Sequence, residues 1–224
     1  MAKKINTKLL AEICEVAGAP GHEQRVREIV LREIKSLVDD IRIDNMGNVV
    51  AIKKGKENKK VMIAAHMDEI GFIVTHVDDK GFIYFHTLGG FEPKTLTAQR
   101  VIIHGIEDVI GVMGSKPIHL MNVADRAKVP TIKDYFIDTG RPKKELDKII
   151  SVGDTITRER ELIEMGDCLN CKSLDNRVSV FILIEMFREM KKKPPYDVYG
   201  VFTVQEEIGI RGANVSSMDI NPDF

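Results

Sequence analysis

Near the N-terminus apolar residues recur at helical spacing. Leu9, Leu10, Ile13, Val16 and Ala17 share one face, Asn6 or Thr7 can cap the helix start, and Gly18 stands where a helix-ending glycine belongs. A second helix is predicted after Pro20-Gly21, with Val26, Ile29, Val30, Ile34 and Leu37 on its apolar stripe. The period then falls to two. Ile41-Arg42-Ile43 alternates, Asn45-Met46-Gly47-Asn48 is a turn signal, and residues 49–52 complete a hairpin. After a charged turn over 55–60, residues 61–65 (Val-Met-Ile-Ala-Ala) form a continuous apolar run, which predicts a strand buried on both faces.

Between about residue 73 and about residue 160 the pattern changes to short β-like runs split by glycine turns, at 82–85, 100–106 and 109–113. Asp78-Asp79-Lys80-Gly81 reads as a hairpin turn, and one short helix is predicted at 142–149. Helix and strand then alternate again. Val178, Phe181, Ile182, Glu185, Met186 and Met190 define a helix face, Pro194-Pro195 ends it, and 197–204 is a second apolar strand. Gly209, Gly212 and Ala213 open a last helix. The pattern predicts an α/β domain made of 1–72 and 161–224, with a β-rich domain of 73–160 inserted into it.

Composition narrows the function classes. The 224 residues carry 33 Lys+Arg against 34 Asp+Glu, a formal net charge of −1, which argues against nucleic acid as a partner. The longest apolar runs are far too short to span a bilayer, and the first residues lack the apolar stretch of a secretory signal. Three cysteines make no disulfide framework, so a cytoplasmic, reducing setting is expected.

Polar residues gather where apolar elements begin or end: His66-Met67-Asp68-Glu69-Ile70-Gly71, Ser173-Leu174-Asp175-Asn176-Arg177 and Gln205-Glu206-Glu207-Ile208-Gly209. Ligands of open α/β sheets sit beyond the carboxyl ends of strands, where two strand exits and a helix entrance can meet. One imidazole from His66 with carboxylates from Asp175 and Glu207 suits Zn²⁺, Co²⁺ or Mn²⁺. Asp68 can take the other ring N–H of His66. Of the two glutamates, one can ligate and the other act as base. The blander readings are a satisfied polar residue at a strand end, a surface Glu-Glu turn and a helix cap at Asp175.

These stretches resemble the tetrahedral aminopeptidase family of dinuclear metallopeptidases, some members of which carry endoglucanase or cellulase labels. The resemblance also rests on Gly18-Ala19-Pro20-Gly21-His22-Glu23, Asp44-Asn45-Met46-Gly47-Asn48, Leu88-Gly89-Gly90-Phe91, Ser115-Lys116-Pro117-Ile118-His119-Leu120, Ile137-Asp138-Thr139-Gly140 and 203–213. It runs from about residue 7 to the last residue and implies a phosphorylase/hydrolase-like metallopeptidase domain with an inserted PDZ-like β-domain. It further implies two divalent metal ions, Zn or Co, with His66 on one, Glu207 on the other and Asp175 bridging. Glu206 would be the general base and Asp68 the orienter of His66. Peptides would be the substrates, and the insert would help build a homo-oligomer.

The family pattern also has an Asp downstream and a His near the C-terminus as ligands. Here the last histidine is His119, and Asp219 and Asp223 fall earlier than that Asp would. The chain is therefore expected to be a truncated form that binds metal weakly and turns over poorly, with the 197–204 strand left uncovered. Two alternatives to aminopeptidase follow: an inactive remnant, or a glycosidase working through two carboxylates. Cys168-Leu169-Asn170-Cys171 lacks the second pair of a zinc ribbon. His76, His86, His104 and His119 read as strand or loop residues, and Arg177 and Arg211 as structural ion-pair partners.

Overall fold

The structure, a computed structural model, describes residues 5–224, the side chains of Ile118 and Asp125 excepted. The chain divides into two units, one running to Glu69 and resuming at Glu161–Phe224, the other Ile70–Arg160. The first opens with α1 (Thr7–Glu15), α2 (Gln24–Ile34), β1 (Asp40–Ile43), β2 (Val49–Lys53) and β3 (Glu57–His66). The second holds β4 (Gly71–Val77), β5 (Ile83–Leu88), β6 (Arg100–His104), β7 (Asp108–Ser115), α3 (Val123–Arg126), β8 (Tyr135–Asp138), α4 (Lys143–Leu146) and β9 (Thr155–Arg158). The first unit resumes with β10 (Ile163–Met165), β11 (Cys168–Asn170), α5 (Leu174–Glu189), β12 (Tyr196–Thr203) and α6 (Arg211–Ile220).

Asn6 caps α1 by accepting from Leu9 N at 3.2 Å, and the helix buries Leu9, Leu10 and Ile13. It ends at Glu15, earlier than Gly18 suggested. The buried Arg177 guanidinium donates to Ile13 O at 2.7 Å and Val16 O at 2.6 Å, taking carbonyls that a helix end leaves unpaired. Gly18 is needed for a different reason than ending the helix: a Cβ there would lie 2.6 Å from Nη2 of Arg177.

The sheet of the first unit runs β1-β2-β12-β3. β12 pairs antiparallel with β2 and parallel with β3, with Thr203 opposite His66, so β3 and β12 end together. This corrects the burial expected of 61–65. β3 is an edge strand, Ile63 is 38% exposed, and burial sets in only at Ala65. The strand buried throughout from Asp197 to Thr203 is β12, flanked on both sides and not left uncovered.

The face of α5 also differs from the one predicted. It buries Arg177, Val180, Phe181, Leu183, Ile184 and Phe187, while Val178 and Ile182 are exposed. Apolar residues lie all round this helix, so periodicity alone cannot choose a face. The choice is made by packing: at Gly200 of β12 a Cβ would meet the Phe187 ring at 2.4 Å, so the glycine admits that ring against the strand.

The second unit is a closed barrel of order β4-β5-β8-β7-β6-β9, filled by Phe72, Ile83, Ile103, Met113, Ile137 and Ile156. Its first turn is the predicted one. Gly81 takes φ +90°, and Asp78 Oδ1 accepts from Lys80 N and Phe82 N, each at 2.9 Å. The predicted helix at 142–149 is the shorter α4. No helix among the described residues is long and apolar enough to cross a membrane.

Candidate metal centre

His66 is the last residue of β3 and is buried. Its Nδ1 lies 3.0 Å from the main-chain oxygen of Asp68, an acceptor, which assigns the ring proton to Nδ1 and leaves the Nε2 lone pair free. Nε2 is 3.4 Å from Asp175 Oδ1 and 3.7 Å from Glu206 Oε2. His66, Glu206 and Glu207 offer ligand atoms that all lie within 4.8 Å of one another. Such an imidazole-carboxylate donor set fits a divalent ion of the Zn²⁺ or Co²⁺ type. Asp175 stands beside this group of three but outside it, at the start of α5, with its side chain 90% exposed.

The contacts of Asp68 extend beyond His66. Its carboxylate is fully buried, with Oδ1 accepting from Glu206 N and Oδ2 from Glu207 N, each at 3.0 Å. Oδ1 lies 3.4 Å from His66 Nδ1, so the main-chain oxygen is the closer partner of the ring. One residue earlier, Gln205 takes a left-handed φ of +54° and donates its N–H to Glu23 Oε1 at 3.0 Å. Glu23, itself buried, also accepts from Gly21 N at 2.8 Å. Two buried carboxylates thus hold three successive amides and fix where Glu206 and Glu207 point.

Around them lies a buried ionic cluster. Lys172 Nζ donates to Glu69 Oε1 at 2.6 Å, and Arg177 Nη2 reaches the same oxygen at 3.5 Å while its Nε donates to Met67 O at 2.7 Å. Glu69 follows His66 by three residues and Lys172 precedes Asp175 by three, so the pair ties together the two segments that carry these side chains. Asn48 joins a third element: it donates to Asp44 Oδ2 at 2.7 Å and Gly212 O at 3.1 Å, and accepts from Val204 N at 2.9 Å. A Cβ at Gly212 would come within 2.3 Å of Asn48 Oδ1, so only glycine fits where α6 starts.

Burial opposes charge on His66, but hydrogen bonding to Asp68 and the Asp68 and Glu206 charges outweigh it and hold the imidazole above its usual value. Burial likewise pushes Asp68 up, and His66 with the two amides pulls it below the ordinary carboxylate range. Glu207 is raised, first by burial and then by the Asp68, Asp175 and Glu206 charges. Burial also raises Glu23 and lowers Lys172.

Of the residues singled out in the sequence, His66, Asp68, Glu206 and Glu207 come together, with Asp175 alongside. Arg177 is an internal ion-pair partner; Arg211 begins α6. Sequence reasoning gave no role to Glu23, Asn48, Glu69 or Lys172. The first three lie inside matched motifs, the one signal that could have found them. The cysteines are free, with Cys168 exposed on the β10–β11 hairpin.

The family described as M42 glutamyl aminopeptidase matches residues 47–224. The chain is 34% identical over 227 residues to a lysyl aminopeptidase of Pyrococcus furiosus, an alignment covering 98% of this chain and 64% of that protein. Its fold superposes on aminopeptidase APDkam598 of the archaeon Desulfurococcus kamchatkensis with a TM-score of 0.90 and 39% identity, covering 96% of this chain and 60% of that one. It also superposes on the TET1 peptidase of Pyrococcus horikoshii, which can assemble into a tetrahedron or a large octahedral shell, with a TM-score of 0.85 and 29% identity, covering 94% and 64%. The chain thus spans less than two thirds of the length of these proteins.

Proposed function

Because this chain belongs to the M42 glutamyl aminopeptidase family, we propose that it carries the catalytic core of a metal-dependent aminopeptidase, which removes N-terminal residues from peptides. The observation that carries the reading is the convergence of His66, Glu206 and Glu207 within 4.8 Å at the shared end of β3 and β12. His66 Nε2 would hold one divalent ion, Glu207 the other, and Asp175 would bridge them. When bound, a Zn²⁺ or Co²⁺ pair supplies Lewis acidity to the scissile carbonyl and to the attacking water. Glu206 takes the proton of that water on its carboxylate and returns it to the leaving amine nitrogen. Asp68 keeps His66 in the tautomer that presents Nε2, and with Glu23 it keeps Glu206 aimed at the reacting atoms.

The barrel is read as the PDZ-like insert of such enzymes; its six strands and the short α4 support this. Homo-oligomer formation through it is part of the reading, supported by the assembly of the P. horikoshii relative. A cytoplasmic setting agrees with three free thiols. The test is hydrolysis of aminoacyl-p-nitroanilides and of a cellulose substrate, each with and without a chelator. Chelator-sensitive release of nitroaniline, with no cellulose cleavage, is expected. Cellulose cleavage that ignores the chelator would overturn the reading.

A further inference from the structure

The stretch that carries Asp175 is not shaped by its own helix. Ser173 takes a left-handed φ of +55°, and Asp175 (φ −80°, ψ 108°) and Asn176 (φ −119°, ψ 25°) lie off helical values at the start of α5. The Asp175 side chain is 90% exposed and stands outside the group of three, with Oδ1 at 3.4 Å from His66 Nε2. The course of the backbone therefore decides where its carboxylate points, and that course is fixed from the flanks.

Each flank is held by a buried cation bonded to the segment that carries His66. Downstream, Arg177 Nε donates to Met67 O, and the same guanidinium serves the carbonyls at the end of α1. Upstream, Lys172 Nζ donates to Glu69 Oε1 at 2.6 Å, the two side chains being 2% and 1% exposed. Glu69 is fixed in turn, since its N–H donates to Gly18 O at 3.0 Å. A buried pair of this kind is a poor source of stability, because desolvating both charges offsets most of their attraction. It is poorer still here: Glu69 Oε2 is buried with no hydrogen-bond partner among the described residues. The carbonyls at the end of α1 account for the burial of Arg177. For the Lys172 ammonium the bond to Glu69 sets one thing, the distance from the end of β3 to the Asp175 stretch.

We propose that Lys172 is a positioning residue for Asp175: its bond to Glu69 sets the reach of the Asp175 carboxylate toward the ion held by His66. The proposal rests on the reading above, in which Asp175 bridges two divalent ions. Lys172 touches neither ion nor substrate. It acts through Asp175, as outer-layer hydrogen bonds hold a metal ligand in place. Without the tether, an exposed carboxylate on a non-helical stretch swings into solvent, and both ions lose the ligand they share. Lys172→Met keeps most of the buried stem and removes the ammonium, so it takes away the tether and spares the packing.

The test is a double-mutant cycle on Co²⁺ affinity, read by visible absorption of the full chain in wild type, Lys172→Met, Asp175→Asn and the double variant. Should Lys172→Met fail to fold, Lys172→Met in a Glu69→Gln background, which leaves no carboxylate stranded at that position, takes its place with the same expectations. Each single variant should bind Co²⁺ about tenfold more weakly than wild type. The double variant should bind within about twofold of Asp175→Asn alone, because Lys172 then has nothing left to position. A merely structural role would instead multiply the two losses. Multiplied losses, or unchanged affinity in Lys172→Met, overturn the proposal and leave the metal reading intact. Unchanged affinity in Asp175→Asn overturns the bridging role and the proposal with it.

Discussion

The two units bury different chemistry. Among the described residues, the barrel buries aliphatic and aromatic side chains, with Thr155 and Thr157 its buried polar residues. The α/β unit buries Glu23, Asn48, His66, Asp68, Glu69, Lys172 and Arg177. Burying charge is costly unless every group is partnered, so such a cluster persists only where other bonds over-determine it. Here they converge on the ends of β3 and β12, where Glu206 and Glu207 lie. The contrast separates a unit held by packing from one in which polar bonds aim a few half-buried side chains.

The contrast can be broken from either side. The largest expected effect is chemical: Glu206→Gln, in a form of the protein that turns over peptides, should lose about 10²–10⁴ in kcat. Bound metal should be nearly unchanged. Loss of metal from Glu206→Gln would make Glu206 a ligand and undo the division of labour with Glu207.

Next in size is Arg177→Leu, which leaves Glu69 with Lys172 as its remaining charged partner and frees the Ile13 and Val16 carbonyls at the end of α1. Breaking a buried charged pair costs about 3–5 kcal/mol. Hydrogen exchange should quicken across α1 and α5 while the barrel strands stay protected. Uniform loss of protection in both units would show that they do not fold independently.

The mirror experiment is Ile103→Ala in the barrel core, where Ile103 is fully buried. Denaturant unfolding should show a loss of about 2–5 kcal/mol, with metal affinity unmoved. A parallel fall in metal affinity would blur the separation.

Asp68→Asn is the smallest of the four, about 1–3 kcal/mol, because the amide can serve only one of the two N–H groups that the carboxylate accepts. It also carries a pH signature. The folded Asp68 titrates below the ordinary value of 3.8, so the folded state favours its charged form. The stability this contributes is present above pH 3.8 and is lost as pH falls through the folded value. In chelator the variant should lack that share of the acid limb; an unchanged acid limb would place the pairing elsewhere.

The sequence made the α/β pattern and the strand-end polar clusters legible because they follow local periods and turn chemistry. What stayed hidden depends on tertiary placement. Residues 61–65 are apolar enough for a central strand, yet only the sheet order makes β3 an edge and β12 the centre. Val178 and Ile182 fit a helical stripe as well as Val180 and Ile184 do, and only Gly200 decides between them. Asp68 was legible as a neighbour of His66. Its grip on the amides of 206 and 207 spans 138 and 139 residues of sequence and has no local signal.

The most direct test of the central claim is a Co²⁺ titration of the metal-free chain, followed by visible absorption, in wild type, His66→Ala, Glu207→Gln and Glu206→Gln. The account predicts ligand-field bands in wild type and Glu206→Gln. It also predicts affinity at least about 10-fold weaker in His66→Ala and Glu207→Gln, since each removes a proposed ligand. Equal Co²⁺ affinity in wild type and His66→Ala would contradict it.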